Sequence, residues 1–223
     1  MPVLTDSYQG VLNNAIVKGA TLIAVSKTKP VADILALYET GHRDFGENYV
    51  QELTEKHNQL PQDIRWHFIG HLQSNKVKYI APFVHMIHGV ESIKLLREIN
   101  KQGEKCGRII NCLLQLYVAS EETKFGLDET EVHELLRQMQ GSEKMEFVQV
   151  CGVMAMASFT DNKEQVRSEF KKVKSIFDIL KQQYFDGDER FSTISMGMSG
   201  DYVIALEEGS TMIRVGSLIF GER

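Results

Sequence analysis

Lys27 follows the short apolar run Leu22–Val25 after a single serine, in the stretch LIAVSKTKP. If the run is a strand, its side chains alternate between faces, so Ile23, Val25 and Lys27 share one. A lysine that continues an apolar face projects into the mouth of whatever that face encloses. Burial there disfavours the ammonium and makes the amine a candidate nucleophile for Schiff-base formation with an aldehyde. The competing reading is a lysine that snorkels from a strand end and keeps its charge in water. Lys29 has the same parity but lies farther from the strand and ranks second.

Two pairs of small polar residues stand near the other end of the chain, Ser199-Gly200 after STISMGM and Gly216-Ser217 after MIRV. Either alone reads as a turn. Together, past two successive strands, they fit an anion site, because glycine lets a phosphate approach backbone N–H groups at a helix start. Arg214 interrupts the apolar run Met212–Val215, and a buried guanidinium needs an acceptor. That acceptor is either a structural carboxylate or a ring nitrogen or phosphate of a ligand. Asn48, in DFGENYV, either caps a helix or bonds a ligand. His67 and His71 are four apart, but one falls in a strand and the other in a loop, and His85 and His88 lack a third ligand nearby. No metal site is expected from them. Met154 and Met156 suit soft core packing, or contact with a flat ring.

The elements that must hold these residues alternate. Short apolar runs at Leu22–Val25, Arg43–Phe45, Trp66–Ile69, Met86–Val90, Ile109–Val118, Val148–Met156, Phe191–Met196 and Met212–Val215 read as buried parallel strands. Amphipathic stretches separate them, the clearest carrying Val166, Phe170, Val173, Phe177 and Leu180 on one face. Asp128 and Asp161 sit where N-caps belong, and Pro30 fits a first helical turn. A short helix from about Asp201 to Glu207, directly after Ser199-Gly200, is expected to supply a helix N-terminus to the anion site. Eight strands alternating with helices give a closed barrel or a doubly wound sheet, and no G-x-G-x-x-G follows the first strand to favour the latter. After the eighth strand few residues remain, so the segment Asp6–Lys18 is expected to take the place of the last outer helix.

The 223 residues suit one α/β barrel spanning 1–223, with no large C-terminal domain. A net charge of −5 argues against nucleic-acid and anionic-membrane partners, and the basic run Lys171–Lys174 reads as a solvated helix face. Three scattered cysteines, Cys106, Cys112 and Cys151, form no C-x-x-C pair and read as reduced thiols. The N-terminus shows no signal-peptide pattern and no run approaches a membrane span, so a cytoplasmic protein is expected.

AVSKTKP, FGENYVQE, WHFIGHLQSNK, EETKFG (Glu121–Gly126), SMGMSGD and IRVGSLIFGER, in this order, resemble the pyridoxal phosphate homeostasis protein family along almost the whole chain. That family is similar to the N-terminal barrel of alanine racemase, a fold-type III architecture. The resemblance implies a single (β/α)8 TIM barrel binding pyridoxal 5′-phosphate (PLP). It implies that Lys27 forms the Schiff base, that Ser199, Gly216 and Ser217 hold the phosphate with help from Gly200, and that Arg214 faces the pyridine nitrogen. Asn48 and Met196 would lie in the same pocket. An arginine there keeps the ring nitrogen unprotonated and the ring a weak electron sink. A protein of intracellular PLP homeostasis follows, monomeric, carrying or buffering cofactor for apo-enzymes with little catalysis of its own. The alternative is an amino-acid racemase, whose second acid/base group would be sought at Tyr49, Tyr117 or Cys151.

Overall fold

The computed structural model describes residues 3–118, 126–141 and 145–222. In chain order the strands are β1 (Thr21–Val25), β2 (Asp44–Glu47), β3 (Arg65–Phe68), β4 (Met86–Val90), β5 (Ile110–Leu116), β6 (Val148–Ala155), β7 (Thr193–Ser195) and β8 (Met212–Val215). Helix α1 (Thr5–Val17) precedes them. Between them come α2 (Val31–Glu39), α3 (Val50–His57), a 3-10 turn at Ser74–Lys76 running into α4 (Val77–Ile80), α5 (Ile93–Cys106), α6 (Glu129–Met139), α7 (Lys163–Tyr184) and α8 (Tyr202–Glu207); α9 (Ser217–Phe220) follows β8. The strands pair in parallel in sequence order, and β8 closes on β1 with Thr21 opposite Met212 and Ala24 opposite Val215.

Closure explains why the strands read as unbroken apolar runs. One face of each lies under the helices and the other points into the barrel, so neither meets water. The inward set contains Ile23, Met86, Leu113, Cys151, Met154 and Met212, a cluster separate from the larger core between strands and helices. The apolar stripe of α7 is buried as its spacing predicts, with Val166, Phe170, Val173, Phe177 and Leu180 all against the sheet side. Helix α1 covers the gap outside β1 and α9, burying Tyr8, Val11 and Ala15, while the Leu4 amide donates to the Ile219 carbonyl at 2.8 Å.

Local chemistry shifts some expected boundaries. Asp128 caps α6 in a reciprocal box with Glu131. At α7 the cap is Asn162, not Asp161, because the Asn162 side chain accepts from the Gln165 amide at 3.2 Å. Pro30 stands at the N-cap of α2 rather than inside its first turn. The weak run at Arg43–Phe45 becomes a strand displaced toward Asp44–Glu47, both of whose ends are buried. Among the described residues no helix is long and apolar enough to cross a membrane, and no group of His, Cys, Asp and Glu could hold a metal ion.

Candidate functional site

A cleft of about 300 Å³ opens at the carboxyl ends of the strands, where Lys27, Asn48, Ser199, Arg214, Gly216 and Ser217 meet. The turn after β1 brings Lys27 there. The Ser26 amide extends the ladder to the Gly46 carbonyl (3.0 Å), and the Lys29 amide closes back on Ser26 (3.0 Å). Between the lysines, Thr28 takes a positive φ of 64°, a conformation that a β-branched residue adopts only when its surroundings hold it there. Glu52 does so by accepting from the Thr28 amide at 2.6 Å. The kink sends the two lysines to different fates. The Lys29 ammonium donates to three successive carbonyls, Phe220 and Gly221 at 3.0 Å and Glu222 at 3.1 Å. Its donor capacity is used up. Lys27, half-buried, lines the cleft.

Beneath this turn lies an ionic cluster that the sequence analysis did not find. Glu47, fully buried, accepts from the Ser26 hydroxyl at 2.6 Å and from the Lys56 ammonium at 2.7 Å. Lys56 also donates to the Ser26 carbonyl at 2.8 Å and to Glu52 at 2.7 Å. Burial pushes the Glu47 carboxyl upward against the pull of Lys56. The i, i+4 pair Glu52 and Lys56 on α3 was a visible signal, but its convergence on the loop of β1 was not.

Arg214 resolves its alternatives against a structural carboxylate. Its guanidinium donates to the Ser195 carbonyl (2.8 Å), the Ser195 hydroxyl (2.6 Å) and the Ala155 carbonyl (3.0 Å). No carboxylate forms an ion pair with it among the described residues. Burial lowers it to about 10, with the Asp201 charge opposing, so it remains a cation at neutral pH. Asn48 does not cap α3; that position is held by Tyr49 without a side-chain bond. The Asn48 Oδ1 atom is buried with no hydrogen-bond partner among the described residues, an unsatisfied acceptor at the cleft wall.

On the opposite wall the Ser199 hydroxyl lies 3.4 Å from the Gly216 amide. The turn that carries Ser199 fits because Gly197 has φ +97°, and a Cβ there would come within 2.5 Å of Ala205. Gly216 backs onto β1: an added Cβ would stand 3.1 Å from the Val25 carbonyl oxygen. Gly200 lines a neighbouring cavity with Asp201 and Ser158 rather than this cleft. Met196 is displaced more completely. Ser195 points inward, so by strand alternation Met196 points outward and is fully buried in the core under the helices. The cleft's methionines are Met156 and Met198.

Of the three residues considered for a second acid/base role, Cys151 belongs to the interior cluster and not to the cleft, and burial raises its thiol to about 11. Tyr49 lines an adjoining groove that shares Asn48 with the cleft. Tyr117 lines neither. Residues 121–125 of the EETKFG stretch lie outside the described residues.

Residues 8–223 match the family model described as alanine racemase, N-terminal domain. A pyridoxal phosphate homeostasis protein of Aquifex aeolicus (strain VF5) is 38% identical over 205 residues, covering 92% of this chain and 87% of that protein. The Homo sapiens protein of the same name is 37% identical over 214 residues, covering 91% of this chain and 76% of that one. A solved structure of PipY from Synechococcus elongatus PCC7942 with PLP bound is similar at a TM-score of 0.81 and 34% identity, across 91% of this chain and 93% of that chain.

Proposed function

The chain belongs to the pyridoxal phosphate homeostasis protein family, and on that premise we propose that its cleft binds PLP and that the protein carries and buffers this cofactor without strong catalysis of its own. The observation that carries the reading is the cleft's inventory. Lys27 and Lys29 line it, the latter held by carbonyls. Among the described residues the buried Arg214 has no carboxylate ion pair and the Asn48 oxygen has no donor. Small residues line the far wall. A compact anion with a polar aromatic ring fits such a set.

When bound, PLP supplies an aldehyde carbon for a primary amine and an anionic phosphate for N–H and O–H donors. Both Lys27 and Lys29 line the cleft, and the three carbonyls that occupy Lys29 favour Lys27 as the candidate covalent anchor. The Ser199 and Ser217 hydroxyls and the amides beside Gly216 would hold the phosphate. Arg214, a cation with no proton to accept, would face the ring nitrogen and keep it unprotonated. Asn48 would contribute its unsatisfied oxygen. Met156 and Met198 supply polarizable walls. Gly200 and Met196 are left out of this set, for the reasons their positions give.

This arrangement favours carriage over turnover. An unprotonated ring withdraws electrons weakly, and Cys151, the thiol considered as a partner base, belongs to the interior cluster. Apo-enzymes are the expected recipients of the cofactor, and a cytoplasmic monomer is the expected form. Borohydride treatment of the protein incubated with PLP should fix a pyridoxyl phosphate mass on the Lys27 peptide. Lys27→Ala should lose that mass while keeping weaker, dialysable PLP. A wild-type protein that stays colourless and unmodified, or a mass fixed on Lys29, would overturn the assignment.

A further inference from the structure

Inside the barrel, a single file of hydrogen bonds runs from Arg214 to the far side of the interior. The Arg214 guanidinium reaches Ser195 Oγ at 2.6 Å; Ser195 Oγ and His88 Nδ1 are 3.1 Å apart. His88 Nε2 and His67 Nδ1 are 3.0 Å apart, and His67 Nε2 lies 3.1 Å from Asp44 Oδ1. Asp44 is in turn gripped by Arg65 through both carboxylate oxygens. The five strands β2, β3, β4, β7 and β8 contribute one inward residue each, and Ser195, His88 and His67 are at most 1% exposed.

Proton bookkeeping gives the file a direction. A guanidinium only donates and an ionised carboxylate only accepts, while a neutral imidazole has one donor and one acceptor. Arg214 therefore donates to Ser195 Oγ, and the Ser195 hydroxyl donates to His88 Nδ1. His88 Nε2–H donates to His67 Nδ1, and His67 Nε2–H to Asp44. Both ring protons must sit on Nε2. With His67 in the other tautomer, donor would face donor at His88 and acceptor face acceptor at Asp44. With His88 alone in the other tautomer, two bare ring nitrogens would face each other, at the full desolvation cost of each unsatisfied group. Burial favours neutral imidazoles here, overriding the Asp44 charge at His67. It would raise the Asp44 carboxyl too, but the bonds from His67 and Arg65 hold that group well below its ordinary range.

We propose that Asp44, His67, His88 and Ser195 are positioning residues for Arg214, a one-way relay that fixes its guanidinium edge for the ligand of the cleft. This rests on the reading that the cleft binds PLP. Of the five guanidinium N–H groups, three are held by Ser195 and Ala155, which leaves two for the cleft that Arg214 lines. Loss of the Ser195 hydroxyl would leave the guanidinium on the Ser195 and Ala155 carbonyls alone and lower the barrier to its rotation.

The test begins on the ligand-free protein. Nitrogen NMR should show His67 and His88 as neutral Nε2–H tautomers, and Arg214 with individually resolved, slowly rotating Nη protons. Two substitutions divide the relay at His88. Asn in His88→Asn keeps an acceptor near the Nδ1 position for Ser195. Gln in His88→Gln keeps a donor near Nε2 but offers Ser195 nothing. The Arg214 Nη protons should stay resolved in His88→Asn and average in His88→Gln and Ser195→Ala. PLP affinity should fall about tenfold in the latter two, as for the loss of one hydrogen bond to a charged group. An Nδ1–H tautomer at either histidine, or equal behaviour of the Asn and Gln variants, would overturn the relay. Failure of the wild-type protein to take up PLP would overturn the cofactor reading, while the tautomers and Nη protons decide the relay independently.

Discussion

Lys27 and Lys29 illustrate what a single residue's parity can and cannot convey. Both share the inward face by period two, and the sequence ranks them only by distance from the strand. What separates them is the set of three carbonyls at Phe220–Glu222 that occupies Lys29, residues roughly 190 positions away along the chain. Arg214 was legible as an anomaly in an apolar run, but its partners, a serine and a carbonyl on two other strands, were not. Met196 enters the expected pocket through a motif, SMGMS, whereas alternation with Ser195 turns it to the core under the helices. At this scale the Glu47–Lys56 pair gives a sharp expectation. Lys56→Met should cost about 3–5 kcal/mol, since it strands a buried carboxylate. Adding Glu47→Gln should recover at least half, measured by urea unfolding. A single variant as stable as the wild type would mean that Glu47 is already neutral.

Elements were the most readable level. Each of the eight strands overlaps the run that predicts it, with β2 displaced toward Glu47, because burial on both faces leaves little polar alternation to blur them. Caps are less certain, since neighbouring polar residues such as Asp161 and Asn162 compete and only the chain's entry angle decides between them. The register of β6 was invisible. It shifts against β5 between Cys112 and Leu113, and Gly152 there has φ +151°, with Thr193 O only 1.8 Å from where a Cβ would stand. Gly152→Ala must therefore push β7 away from β6, at a cost of at least about 3 kcal/mol. Gly200→Ala, with open space around it, should stay within about 0.5 kcal/mol. Thermal unfolding of the two variants checks the contrast, and similar midpoints would contradict the register.

For the whole molecule, the barrel interior sets the response to acid. Burial lowers His42, His57, His67, His85 and His88 below the ordinary 6.5, His85 to about 4. Unfolded chains take up these protons first, so the unfolded state binds more of them as pH falls, and stability declines in that direction. Glu47 and Asp201, whose carboxyls burial pushes upward, act in the opposite sense. Five groups against two decide the sign: stability should be full above about pH 6.5 and fall steadily toward pH 4, read as the midpoint of urea unfolding. A midpoint that holds constant across that window would show that the folded state takes up as many protons as the unfolded chain, against the lowering of these histidines. None of this is visible in the spacing of the histidines, because His67, His88 and Ser195 meet only when the sheet closes.

The file of bonds through the barrel also bears on how such a cleft could be borrowed. A designer who grafts Lys27, Arg214 and the Gly/Ser turns onto a different scaffold, with a hydrocarbon-filled centre, would import the rim without its keel. The arginine would arrive with nothing beneath to hold it. Five strands would have to travel together, so recognition and architecture in this barrel form one inheritance and cannot be swapped piecemeal.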